Sequence, residues 1–221
     1  MTNEMKVTGH IQELVGNPTP LGLLGLAIVT LVASSQKLGI TEGTAYVIPW
    51  AIFLGASAQF VAGLLDFKHN NTFEGTAFCA YGFFWFGVAM TWMTGNGTIG
   101  LNEAAIIDPK QLGFAFLGYL IFTLFMTVGA MGTNKVLFLI FFFIDFLFLG
   151  LSFSSLQIGD AHMWHEVAAY SELLVSIFSF YLAGATVLNV HYGYSVLPTG
   201  APFGSFHRKS VAAKQKASIA A

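Results

Sequence analysis

Apolar runs near twenty residues recur six times along the chain, each closed by a short polar or glycine-rich cluster. Runs of that length match the stretch of α-helix that crosses the hydrocarbon core of a bilayer. The pattern predicts spans over about 20–35, 45–65, 73–93, 112–131, 136–156 and from Trp164 or Glu166 to 190. The breaks are polar: Ser34 to Lys37, Asp66 to Asn71, Gly95-Asn96-Gly97, Gly132 to Lys135 and Gln157 to Asp160. The longest interior connection, about 94–110, holds Glu103, Asp108 and Pro109 and is expected at the opposite surface from the ends. Before the first span, Asn17-Pro18-Thr19-Pro20 suits a helix entry, because ring-locked φ and a missing N–H cost little in the first turn. Asn17 is the expected N-cap. Residues 1–16 form a polar arm, 17–200 one six-span membrane domain, and 201–221 a basic tail rich in Ala and Ser.

Composition narrows the class. Charged residues make up only 9% of the chain and hydrophobic ones 55%, against roughly 25% charge in soluble domains. Too few charges exist to coat a water-facing surface, so the chain reads as an all-α integral membrane protein of six transmembrane helices surrounded by lipid. No cleavable signal pattern opens it, since the polar start leads into further spans. Six spans place both termini on one side, with Lys6, Lys68, Lys135, Arg208, Lys209, Lys214 and Lys216; the other side has Lys37 and Lys110. The positive-inside rule then predicts cytoplasmic termini in a cell (inner or plasma) membrane. Two halves of three spans would be related by inversion if the chain arose by duplication, although no clear sequence repeat marks one.

Polar residues inside spans need partners or a wet path. Gly55, Gln59 and Gly63 stand at i, i+4, i+8 and place one amide between two glycines on a single face. Gln59 either bonds a neighbouring helix or donates to a passing solute. In the sixth span Glu172, Ser176, Ser179, Ala183 and Thr186 form a helix-spaced stripe that either packs on a neighbour or lines a path; Thr19, Gly22, Leu26 and Thr30 form a sparser one in the first. Asp145, mid-way along the fifth span, would cost roughly 2.5–3.5 kcal/mol at the bilayer centre. It is expected either to stay neutral, with Glu172 as a second candidate proton relay, or to turn away from an anion path.

Other classes lack their residues. The six histidines fall in loops or at span ends, leaving no facing pair for haem. His162, His165 and Glu166 give only a weak metal signal, there is no nucleotide-binding loop, and the lone Cys79 cannot form an intrachain disulfide. The expectation is a non-enzyme with no cofactor, no metal and no nucleic-acid partner.

The entry Asn17-Pro18-Thr19-Pro20-Leu21-Gly22-Leu23 resembles the signature that opens the acetate uptake transporter family of succinate–acetate permeases. Gly55 to Leu65, Asn71 to Phe78 running into Tyr81 to Trp85, Phe122 to Met126, Tyr181 to Asn189 and Val196 to Gly200 resemble the same family in order. The resemblance implies a membrane channel or carrier, homohexameric, for acetate and related small carboxylates including succinate. It implies a constriction at Leu26, Tyr81 and Ile144, of which Leu26 departs from an aromatic pattern. Candidate solute-lining residues are Asn17, Thr30, Gln59, Ser176 and Ser179; the resemblance favours that role for Gln59 and implies that Ser179 tunes solute size. Asp145 departs from a small hydroxyl residue in the family pattern. Passage of the ionised acid would be electrogenic, and proton-coupled passage would not be. The nearest rival is a channel for neutral solutes such as urea or amides, which could use the same narrow apolar pinch.

Overall fold

The structure, a computed structural model, describes residues 16–99 and 108–203. The arm before Gly16, most of the connection ahead of Asp108 and the basic tail beyond Phe203 lie outside the described residues. Among the described residues six helices are long and apolar enough to cross a membrane: α1 (Thr19–Lys37), α2 (Val47–Lys68), α3 (Thr72–Gly95), α4 (Lys110–Ala130), α5 (Lys135–Leu156) and α6 (Ala161–Tyr192). Their ends follow from local chemistry. Asn134 Oδ1 accepts the Leu137 N–H at 2.9 Å to start α5, and Asp160 Oδ1 accepts from His162 and Met163 to start α6. Asp160 draws the α6 start several residues ahead of the Trp164 expected from hydropathy. Gln157 and Gly193, both at positive φ, end α5 and α6. Asn17 is not the N-cap of α1: Pro18 occupies that place without a side-chain bond, and Asn17 Oδ1 instead accepts the Thr19 N–H at 3.0 Å.

Successive helices run antiparallel, and α1 packs closely along α6, so the order around the bundle is α4, α5, α6, α1, α2, α3. Backbone approach between α3 and α4 is sparse. Side chains close that gap: Tyr119 of α4 donates its hydroxyl to the Ala80 carbonyl at 2.9 Å, and Tyr81 of α3 lies 2.9 Å from Thr123 of α4. Apolar residues such as Phe53, Phe83, Met90, Phe114 and Phe125 stand exposed on the outside, as a surface solvated by hydrocarbon requires. Within α2, residues Ala51–Ala58 form a π-helix behind Pro49. A π-turn relieves the proline's missing donor, and Ser57 donates to the carbonyl five residues back, Ile52, at 2.8 Å. α2 and α3 meet at Gly63, where a Cβ would stand 2.6 Å from Cys79 Sγ and 2.9 Å from the Gly75 carbonyl oxygen. That close approach requires glycine.

After α6 the chain folds back. Asn189 accepts the N–H groups of Val196 and Leu197 at 2.7 and 3.0 Å and donates to the Leu197 carbonyl at 2.9 Å. Tyr181 donates to the Pro198 carbonyl, the Thr199 carbonyl takes the Val136 N–H, and Phe203 N–H reaches the Met131 carbonyl. This strap ties α6 to the α4–α5 turn. Asn189→Leu is expected to orphan two backbone donors, costing about 1–3 kcal/mol. Hydrogen exchange should show protection lost over 196–203 and kept in α1; unchanged exchange in the strap would refute the assignment.

Candidate functional site

Three helices with the same direction, α1, α3 and α5, line a small cavity together with Gln59 of α2. Each contributes a stripe at helical spacing. From α1 come Thr19, Leu23 and Leu26; from α3 Glu74, Ala77, Phe78 and Tyr81; from α5 Leu137, Ile140, Phe141 and Ile144. Positions i, i+4 and i+7 share a helix face, and seven residues advance about 10 Å along the axis. The three stripes therefore descend together. At one level lie Thr19, Glu74 and Leu137; about 10 Å further in lie Leu26, Tyr81 and Ile144, each less than 9% exposed.

The polar level is organised by two of the sequence stretches that carry the family resemblance, those beginning at Asn17 and Asn71. Asn17 accepts the Thr19 N–H, Thr19 Oγ1 donates to Glu74 Oε2 at 2.7 Å, and the Glu74 N–H is held by Asn71 Oδ1 at 3.4 Å. One hydrogen bond thus joins the head of α1 to the head of α3. Among the described residues Glu74 carries the only ionisable carboxyl on the cavity wall. The sequence held a signal for it, a helix-capping Asn-x-x-Glu, but nothing there assigned it to a site.

At the deeper level Gln59 is fully buried, and its Nε2 donates to the Gly55 carbonyl at 2.7 Å. That short contact to a carbonyl fixes which end of the amide is nitrogen. Gln59 Oε1 is left buried without a partner. The Tyr81 hydroxyl is spent away from the cavity. Thr123 Oγ1 lies 2.7 Å from the Tyr119 carbonyl and must donate there, so the Tyr81 hydroxyl donates to Thr123 Oγ1. The cavity meets the Tyr81 ring.

Other sequence candidates lie off this cavity. Ser176 donates to the Ala27 carbonyl at 2.7 Å and Thr30 to the Leu26 carbonyl at 2.7 Å, so the polar stripe of α6 is packed on α1. Ser179 is fully buried in the same stripe, its hydroxyl without a partner. Glu172 closes the far end of that seam with Lys37, Nζ to Oε2 2.8 Å. Asp145 accepts from Thr127 Oγ1 at 2.7 Å, between α4 and α5, and does not line the cavity. No cluster of three metal-ligating side chains occurs among the described residues.

Comparison with known proteins agrees with this architecture. Residues 2–202 match the model of the GPR1/FUN34/yaaH family. The chain is 35% identical over 187 residues to the succinate-acetate/proton symporter SatP of Escherichia coli K12, covering 84% of this chain and 96% of that one. It is 34% identical over 143 residues to ammonia transport outward protein 2 of Saccharomyces cerevisiae, 63% of this chain and 50% of that protein. The solved structure of the bacterial acetate channel SatP superposes with a TM-score of 0.77 at 34% identity, over 85% of this chain and 100% of that one.

Proposed function

We propose that this chain, which belongs to the GPR1/FUN34/yaaH family, carries acetate and related short carboxylates across the membrane through the cavity within its own fold. It is a multi-pass membrane protein. The observation that carries the reading is the convergence of three parallel stripes on Leu26, Tyr81 and Ile144, beside the unpartnered oxygen of Gln59. Such a ring passes a small solute that sheds its water briefly and opposes larger or more highly charged ones through desolvation. SatP, named for succinate, acetate and protons, supports the substrate class.

The cavity's polar end lies where α1 begins and α6 ends, the end that carries Lys68 and Lys135 and from which the basic tail departs. We assign it to the cytoplasm by the positive-inside rule. The homohexamer and the transport role of the carboxyls remain part of the same proposal.

Purified protein in liposomes tests the reading through voltage-resolved acetate flux, with urea as competitor and with a pH gradient at zero voltage. Flux that follows voltage and ignores urea supports an anion channel, and flux driven only by the pH gradient supports proton coupling. Urea flux without acetate flux refutes the reading. Leu26→Trp, which fills the ring, should lower acetate flux at least about tenfold, equivalent to ~1.4 kcal/mol on the barrier.

A further inference from the structure

We propose that Thr123, on the outer helix α4 and without contact to the cavity, is a positioning residue that sets the solute size the ring admits; this rests on the transport reading above. Tyr81 is 4% exposed, and its hydroxyl has one partner, Thr123 Oγ1 at 2.9 Å. Thr123 is itself fully buried, and its own proton is committed to the Tyr119 carbonyl at 2.7 Å. Tyr119 in turn donates to the Ala80 carbonyl, next to Tyr81 in the chain. The ring is therefore drawn back toward α4 by a closed set of three hydrogen bonds. These bonds bridge α3 and α4, whose backbones approach each other only sparsely.

The direction in which the ring would move without Thr123 follows from what surrounds it. Phe122 and Phe148 pack against it at centroid distances of 5.9 and 6.3 Å, and Tyr119 and Phe141 at 6.3 and 6.1 Å. The cavity is the remaining open side. A buried hydroxyl without an acceptor seeks one, and Gln59 Oε1, buried and unpartnered, stands on the same cavity. Losing the Thr123 acceptor therefore swings the ring inward. It narrows the level shared with Leu26 and Ile144 and places a hydroxyl in the path.

The test is the ratio of butyrate to acetate flux in liposomes holding the full chain, for wild type, Thr123→Val, Thr123→Ser, Tyr81→Phe and the Tyr81→Phe/Thr123→Val pair. Val matches Thr in shape and removes the hydroxyl, and with it both the acceptor for Tyr81 and the donor to the Tyr119 carbonyl. Thr123→Val should lower the ratio at least about threefold, a partial narrowing set against the roughly 10–200-fold by which one methylene discriminates in an apolar pocket. Thr123→Ser should restore the wild-type ratio. In the Tyr81→Phe background Thr123→Val should change nothing further, because the hydroxyl it governs is gone. A wild-type ratio in Thr123→Val, or an equal shift with and without the Tyr81 hydroxyl, overturns the proposal. Should Thr123→Val not purify as a monodisperse protein, Thr123→Ala and Thr123→Ser decide: the ratio must fall in the first, which also lacks the acceptor, and keep its wild-type value in the second. If wild-type vesicles pass amides and no carboxylate, the transport reading falls, and the propionamide-to-formamide ratio in the same variants still judges Thr123.

Discussion

Lys37→Met is expected to destabilise the folded chain by about 3–5 kcal/mol, the usual cost of removing one partner from a buried ion pair. Lys37 Nζ stands 2.8 Å from Glu172 Oε2, with the two side chains 11% and 2% exposed. The two members are not equivalent. Lys37 is the last residue of α1 and carries a four-carbon stem, so its ammonium can reach the water boundary when left alone. Glu172 lies eleven residues into α6 on the seam against α1, and has no such exit. Glu172→Gln should therefore cost less than Lys37→Met, although both break the same contact. The double substitution Lys37→Met/Glu172→Leu should recover most of the loss, since apolar packing of similar volume is often as good as a buried pair. Denaturant unfolding in mixed micelles measures all three. Equal costs for the single variants, or a double variant no better than Lys37→Met, would show that the pair is not desolvated in the bilayer.

Gly150→Val should prevent α5 from docking on α6. A Cβ at Gly150 would stand 2.5 Å from the Trp164 carbonyl oxygen, 2.8 Å from the Ala168 nitrogen and 3.0 Å from the Ala168 Cβ. Two of the three obstacles are backbone, so the helices must separate rather than a side chain rotate. Overpacking costs about 1–3 kcal/mol where side chains can adjust, and a backbone wall places this change at or above that upper bound. Gly118→Ala in α4 is the control: a Cβ there meets nothing within 4 Å, and the gain in helix propensity is about 0.5–1 kcal/mol. Yield of monodisperse protein and its unfolding midpoint separate the two. A Gly150→Val protein as stable as wild type would mean that the α5–α6 contact is looser than described.

The helices were legible because every break between them is polar or glycine-rich, and a lipid-embedded chain cannot hide such breaks. The α6 start was misplaced because Asp160 caps a turn that hydropathy treats as loop. Leu26, Tyr81 and Ile144 were reached through resemblance alone. Periodicity could not single out the cavity stripes, because α3 and α5 are apolar all round and Leu137, Ile140 or Phe141 differ in no way from lipid-facing neighbours. Reading the same i, i+4, i+7 interval in three helices of one direction would have aligned them. The α6 stripe was visible but ambiguous, since a column of serines serves equally to bond a neighbour's carbonyls. Thr123 and Thr127 passed unremarked because a threonine in a membrane helix can satisfy itself on its own backbone. Only the positions of Tyr81 and Asp145 on other helices give them a further task.

The π segment of α2 has a bearing on how this chain tolerates insertion and deletion. A π-turn spends one residue more per closing bond than an α-turn, so Ala51–Ala58 stores surplus chain inside a continuous helix. Loss of one residue there would let the segment tighten into an ordinary α-helix instead of breaking it. The loss would also change the angular register between Trp50 and Gln59, turning the amide relative to the first turns of its own helix. Length variation in this stretch is therefore a way to re-aim Gln59 without changing it.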